Sequence, residues 1–156
     1  MTREPPNCEL TLGITCVDRS QPGATVWSMV PGEHMANPVG VVQGGLLSAF
    51  AIAGMSSVAL TNRRGHRVDG SSSELKISFL RAAPVGQRLT CTARVVGGGR
   101  RVIFAEAEIT DSSGALIAKA SSTYLLTPDQ VPSAPGEIRS ADEVRAAAGE
   151  TQPRPG

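Results

Sequence analysis

The pattern of apolar and polar positions changes its period along the chain. Apolar and polar residues alternate over 9–18 and 24–30, on either side of a Gln-Pro-Gly turn, and this predicts a hairpin over 10–30. From about residue 44 to residue 60, apolar residues fall on nearly every side of a helix, which predicts a buried helix. Period-two alternation then returns and predicts strands over 73–80, 89–96, 102–110 and 116–126.

Short Gly- and Pro-containing turns separate the last four strands and predict an antiparallel meander. One long apolar helix needs a curved sheet to cover it. The sequence therefore predicts an α+β hotdog fold over residues 1–126, with an antiparallel sheet wrapped around a central helix. From residue 127 onward the chain is rich in Pro and Ala, which predicts a flexible tail over 127–156 with a marginal helix at 140–148.

Composition excludes several classes of function. The 156 residues carry a net charge of +1 and only 3% aromatic residues, so we expect no nucleic-acid partner. The stretch 38–60 is long enough to span a bilayer, but Pro38, Gln43 and its glycines and serines favour a buried helix of a soluble domain. Three widely spaced cysteines without metal-ligand spacing, and no apolar leader, predict a cytoplasmic protein without a metal or cofactor.

The chemistry is concentrated where a loop becomes the helix, at Gln43-Gly44-Gly45. Main-chain N–H groups of glycines can be approached closely, and a helix N-terminus carries partial positive charge. Together they can stabilise the oxyanion that forms when a thioester carbonyl is attacked. The alternative interpretation is a tight turn that simply requires glycine.

The wider motif resembles a known family. Asn37-x-x-Gly-x-x-Gln43-Gly44-Gly45, an apolar helix, and the strand Ser-x-Glu-Leu-x-Ile-x-Phe-Leu-Arg at 72–81 are similar to the PaaI-type hotdog acyl-CoA thioesterases. The similarity extends over about residues 10–126. It implies that Asn37 holds the attacking water or the carbonyl, that Gln43 bonds near the thioester, that the Gly44 N–H polarises the carbonyl, and that Ser72 faces the site.

The resemblance also implies a carboxylate, contributed across a dimer interface nine residues after Gln43. Here that position is Ile52, and no Asp or Glu lies between Glu33 and Asp69. A second hotdog lineage places Asp where this chain has Asn37. The nearest groups in sequence that can titrate are Glu33, His34, Asp69 and Glu74, the last on the same predicted strand face as Ser72.

The remaining candidates concern substrate binding. Gly45, Ser48 and Ile52 lie along the start of the helix and suit an acyl pocket. Arginine pairs well with phosphate, so Arg81, Arg100 and the cluster at 63–67 are candidates for holding coenzyme A, the alternative being solubilising surface charge.

Three functions remain open. The first is a thioesterase, with weakened activity, that acts on acyl-CoA or an acyl-carrier-protein thioester. The second is a protein that binds such a thioester without hydrolysing it, and the third is a hotdog repurposed in a biosynthetic pathway. A single hotdog sheet leaves a strand edge open, so we expect a homodimer or a homotetramer.

Overall fold

The computed structural model describes residues 7–61 and 68–127. Two α-helices, α1 (Asn7–Leu12) and α2 (Gly44–Ala59), accompany six strands. The strands are β1 (Thr15–Asp18), β2 (Ala24–Met29), β3 (Gly70–Phe79), β4 (Leu89–Gly98), β5 (Val102–Thr110) and β6 (Leu116–Leu126). The arginines at 63–67 and the predicted helix at 140–148 lie outside the described residues, as does the tail after Thr127.

All six strands form one antiparallel sheet in the order β1-β2-β4-β5-β6-β3. The predicted α+β hotdog fold, a sheet around a central helix, is confirmed. The predicted four-strand meander is wrong in one respect. Strands β4, β5 and β6 do follow one another, but β3 crosses to the far edge and pairs with β6, while β2 occupies the place beside β4. Strand β3 is thus separated from β4 by two other strands.

The first predicted strand is wrong in its first half, because α1 occupies 9–12 and only Thr15–Asp18 forms a strand. Gly13 follows the last helical residue and has a φ of 62°, a left-handed conformation that glycine adopts at little energetic cost. The Gly13 N–H donates to the Leu10 carbonyl at 3.1 Å and the Ile14 N–H donates to the Glu9 carbonyl at 2.9 Å. These two bonds form a Schellman cap, and only then does β1 begin at Thr15.

Helix α2 lies against the concave face of the sheet. Its buried residues meet a sheet core that includes Trp27, Leu89, Ile109 and Tyr124. Gly54 allows a close approach of α2 to β4, since a Cβ there would lie 3.0 Å from Cys91 Sγ. Burial is less complete than the sequence predicted, because Ile52 and its neighbours on one side of α2 are only half-buried. No helix within residues 7–61 and 68–127 is long and apolar enough to cross a membrane.

Strand β3 is a long edge of the sheet, with ten residues and β6 as its neighbour in the part of the chain described. A β-bulge shifts its register between Ser72 and Glu74. Beyond the bulge, Leu75, Ile77 and Phe79 alternate on the face that packs towards α2. Leu75 is 37% exposed and Phe79 is 51% exposed, so this edge presents apolar side chains that the described part of the chain does not cover.

Candidate active site

The first turn of α2 is capped by Gln43. Its backbone is extended, and its Oε1 accepts from the Gly45 N–H at 2.5 Å and from the Leu46 N–H at 3.3 Å. Two of the donors that a helix start leaves unpaired are thereby satisfied by one side-chain oxygen. The Gly45 N–H is therefore occupied by the cap, and of the paired glycines only Gly44 still offers its N–H to a ligand.

Asn37 organises the loop that leads into this helix. Its Oδ1 accepts from the Val39 N–H at 3.0 Å and the Val41 N–H at 3.3 Å, while its own N–H donates to the Val41 carbonyl at 2.8 Å. Main-chain N–H donors on the side-chain oxygen fix the orientation of the amide. What Asn37 has left for a ligand is its NH₂ group.

The Gly44 N–H is the third donor. Within the described parts of the chain it has no hydrogen-bond acceptor, because the residue four positions earlier lies outside the helix. The ring of Phe79 packs against this glycine: a Cβ at Gly44 would lie 3.0 Å from Cζ and 3.3 Å from Cε2. A larger residue at position 44 would therefore require this ring to shift.

The side chains of Asn37 and Gln43 and the N–H of Gly44 therefore present donors only. The oxygens of Asn37 and Gln43 are used by backbone N–H groups, which leaves two NH₂ groups and the Gly44 N–H. None of the three donates to another group within residues 7–61 and 68–127. Such a set is complementary to a carbonyl oxygen on which negative charge develops, and it contains no group that accepts a proton at neutral pH.

On the next turn of α2, the Ser48 hydroxyl is not placed to act as a nucleophile. The Ser48 hydroxyl donates to the Gly44 carbonyl at 2.9 Å, one turn back along the same helix. Ile52 comes one turn later, half-buried and packed against the core. The predicted acyl pocket thus has Ser48 and Ile52 on one helix face, with the Ser48 hydroxyl proton already engaged.

Within the described residues, none of the titratable groups proposed as substitutes for the missing carboxylate hydrogen-bonds to Asn37, Gln43 or Gly44. The His34 ring folds back over Gly32, where an added Cβ would lie 2.8 Å from Nδ1. Glu74 accepts from the Thr123 hydroxyl at 2.7 Å on the convex face of the sheet. Glu33 and Asp69 are exposed.

Ser72 and Glu74 lie on opposite faces of β3, so the prediction that they share a face is wrong. The bulge between them adds a residue that reverses the alternation. The Ser72 hydroxyl bonds to the buried Ser122 hydroxyl at 2.8 Å and donates to the Glu74 carbonyl at 2.8 Å. On the same concave face, Ser56 of α2 bonds to the Tyr124 hydroxyl at 3.0 Å, and burial is the main cause that raises the pKa of Tyr124.

The helix and its neighbouring strand run in opposite directions, and this divides the predicted site residues into two groups. Phe79 of β3 touches Gly44 at the start of α2, whereas Gly70 of β3 lies against Leu60 just after the helix ends. Seven residues of strand separate Ser72 from Phe79, which is about 23 Å at 3.3 Å per residue. Ser72 therefore does not meet the Gly44 N–H of its own chain.

The two arginines are divided in the same way. Arg81 follows β3 at the Gly44 end and is exposed. The pKa of Asp111 is lowered mainly by the hydrogen bond from the Ser113 hydroxyl, and the charge of Arg81 lowers it further. Arg100 is exposed in the β4–β5 turn. The register of Val102 with Leu125 places that turn at the opposite end of the sheet.

Phe79 was missed as a site residue. It belongs to the strand motif, and the period-two alternation places it on the concave face, but no sequence pattern shows that this face of β3 ends beside Gly44. The pairing of Ser56 with Tyr124 was also missed, because 68 residues separate the two in sequence.

The antiparallel sheet around α2 has the hotdog arrangement, and the donors at the start of α2 are the candidate site within it. Residues 39–118 match the thioesterase superfamily, and human acyl-coenzyme A thioesterase 13 is 30% identical over 115 residues, covering 72% of this chain and 80% of that protein. A phenylacetic acid degradation-related protein from Ralstonia eutropha JMP134 superposes with a TM-score of 0.70 at 31% identity, covering 78% of this chain and 91% of its own.

The E. coli PaaI protein superposes with a TM-score of 0.72 over 79% of this chain and 86% of its own, and at 23% identity this likeness concerns the fold. The chain belongs to the thioesterase superfamily, and its function is thioesterase-like. The resemblance to the PaaI-type proteins is confirmed.

Proposed function

We propose that this protein hydrolyses acyl-coenzyme A slowly, using the start of α2 as an oxyanion hole. The observation that carries the proposal is the donor set of Asn37, Gln43 and Gly44, in which both amide oxygens are occupied and the Gly44 N–H has no acceptor among the described residues. The human relative is named as an acyl-coenzyme A thioesterase, which supports coenzyme A as the thiol part. Acyl-carrier protein is the second candidate for the thiol part of the substrate.

In the proposed reaction, the oxygen of a water attacks the thioester carbonyl carbon and the carbonyl oxygen becomes an oxyanion held by these donors. The C–S bond then breaks, the thiol leaves with one proton of the water, and a carboxylic acid remains. One oxyanion donor typically contributes about 10²–10³ in rate. A positioned general base adds about 10²–10⁴, and Ile52 occupies the position where the family places it.

The proposed site is completed by a second copy of the chain. Strand β3 is a ten-residue edge with exposed Leu75 and Phe79, and such an edge is usually paired or covered. Two β3 strands paired antiparallel would bring Ser72 of one copy towards Gly44 of the other. Residues that lie about 23 Å apart in one chain would then share a site, which supports a homodimer as the smallest active unit.

The alternative function is binding without hydrolysis, and Ile52 favours it. A donor-only site next to an apolar side chain holds a carbonyl oxygen but does not take a proton from water. In that case the protein retains an acyl thioester with the same residues and releases it unchanged.

A thiol-release assay with Ile52→Asp and Ile52→Asn tests the proposal. We expect slow wild-type hydrolysis of acyl-coenzyme A and an increase of about 10²-fold in kcat for Ile52→Asp, because a carboxylate restores the base. Ile52→Asn is the matched control, because asparagine is similar in size and polarity to aspartate but is not a base. We expect no increase in kcat for this variant.

Three other outcomes are informative. Calorimetric binding of acyl-coenzyme A by a wild-type protein that releases no thiol above the buffer rate would favour the binding function. Equal rates for the Asp and Asn variants would show that the missing carboxylate does not limit the reaction. A protein that neither binds nor hydrolyses acyl-coenzyme A would rule out both functions.

A further inference from the structure

We infer that Phe79 sets the acyl specificity of this site, by forming the wall against which the acyl carbons next to the carbonyl lie. The inference rests on the proposed function, because it takes the Gly44 N–H as the donor to the substrate carbonyl. It adds a specificity-determining residue and a substrate class, namely apolar acyl groups longer than acetyl.

The first step is the contact between the ring and Gly44. A Cβ at Gly44 would lie 3.0 Å from Cζ, 3.3 Å from Cε2 and 3.4 Å from Cε1 of Phe79, so the para end of the ring points at this residue. A carbonyl oxygen bound to the Gly44 N–H lies about 2.9 Å from the nitrogen. The carbonyl carbon and its two substituents are then within a few bond lengths of the ring, and in the inferred complex one of the substituents lies against it.

The second step is the choice of substituent. The ring is 51% exposed; exposed Leu75 precedes it on the same face of β3, and exposed Leu80 follows directly after the strand. The acyl chain is the apolar half of an acyl-coenzyme A, whereas the other half has amides and phosphates. Burial of apolar surface therefore favours the acyl chain beside Phe79 and directs the thiol half towards the solvent side, where Arg81 is exposed.

The third step is the magnitude. A phenylalanine offers roughly 200 Å² of surface, so about 100 Å² of this ring is open to a ligand. An acyl chain of four to six carbons that covers about half of this area gains about tenfold in affinity over acetyl, at about 25 cal/mol per Å².

The experiment compares acetyl-, butanoyl- and hexanoyl-coenzyme A as substrates of wild type, Phe79→Ala and Phe79→Leu. We expect Phe79→Ala to lower kcat/KM about tenfold for hexanoyl, mainly through KM, and to leave acetyl nearly unchanged. Phe79→Leu keeps most of the apolar surface and should recover most of the loss. Phe104→Ala is the matched control, since Phe104 is 47% exposed on the convex face of the sheet, and it should change none of the values.

A binding measurement separates this inference from the proposed hydrolysis. Calorimetry with ketone analogues, in which a methylene group replaces the thioester sulfur, gives the same chain-length series without turnover. If the wild type binds these analogues but hydrolyses no thioester, the hydrolysis proposal fails while the loss of chain-length dependence in Phe79→Ala still supports the inference.

Three results would overturn the inference. A loss in Phe79→Ala that is equal for acetyl and hexanoyl would place the thiol half, or no ligand, beside the ring. A loss that coincides with dissociation of the protein in sedimentation would make Phe79 an interface residue. Failure of the wild type to bind any member of the series would remove the acyl site altogether.

Discussion

Replacement of Gln43 separates its two roles, the helix cap and the amide donor. In Gln43→Ala both are lost: the Gly45 and Leu46 N–H groups lose their acceptor, and the site loses one NH₂ group. Gln43→Ser keeps a side-chain oxygen at the N-cap, where serine is strongly preferred, but has no amide to offer. The pair of variants therefore tests stability and chemistry independently.

The expected magnitudes follow from the two hydrogen bonds of the cap. Loss of an N-cap costs about 1 kcal/mol, which corresponds to a fall of about 2–4 °C in Tm for a chain of this size. Loss of one oxyanion donor costs about 10²-fold in kcat. We expect Gln43→Ala to show both effects, and Gln43→Ser to recover the Tm but not kcat.

Thermal unfolding followed by circular dichroism gives Tm, and thiol release at a temperature well below Tm gives kcat. The reasoning is refuted if Gln43→Ser recovers kcat together with Tm. In that case the side chain acts only by fixing the first turn of α2, and the oxyanion hole has one donor fewer.

Two further predictions concern the core beneath α2. Gly54→Ala should destabilise the protein by about 1–3 kcal/mol in urea unfolding, because its Cβ would lie 3.0 Å from Cys91 Sγ. The same change in a Cys91→Ala background should cost less, and equal costs would show that the sulfur is not the obstacle. Burial raises the pKa of Cys91 to about 12, so this thiol stays protonated at pH 8. We therefore expect iodoacetamide to modify exposed Cys8 in the native protein and Cys91 only after unfolding. Mass spectrometry of tryptic peptides checks both sites.

The fold was predictable wherever one periodic pattern dominates a segment. Helix α2, β5 and β6 begin and end within one residue of their predicted bounds, because their apolar periodicity is long and unbroken. The N-terminal helix was not predictable from alternation, since α1 has six residues and depends on the Schellman cap at Gly13. The neighbour of β3 was missed because sequence order does not determine strand order when a strand crosses to the far edge.

The candidate site was predictable as a motif but not as a set of free and occupied groups. The motif identifies Asn37, Gln43 and Gly44, and it is the structure that shows which of their polar atoms are already hydrogen-bonded. The separation of Ser72 from Gly44 also needed the structure, because it follows from the direction in which β3 runs beside α2. Whether these residues act together in catalysis stays a prediction.

The donors at the start of α2 have a consequence for the response of the protein to acidity. Two amide NH₂ groups and one main-chain N–H do not ionise between pH 4 and 10, and the helix dipole behind them does not titrate. A histidine at position 43 would change its charge near pH 6.5. With Gln43 at this position, we expect the proposed binding of a carbonyl oxygen at this helix end to be independent of pH over that range, because it depends on shape and hydrogen bonding instead of ionisation.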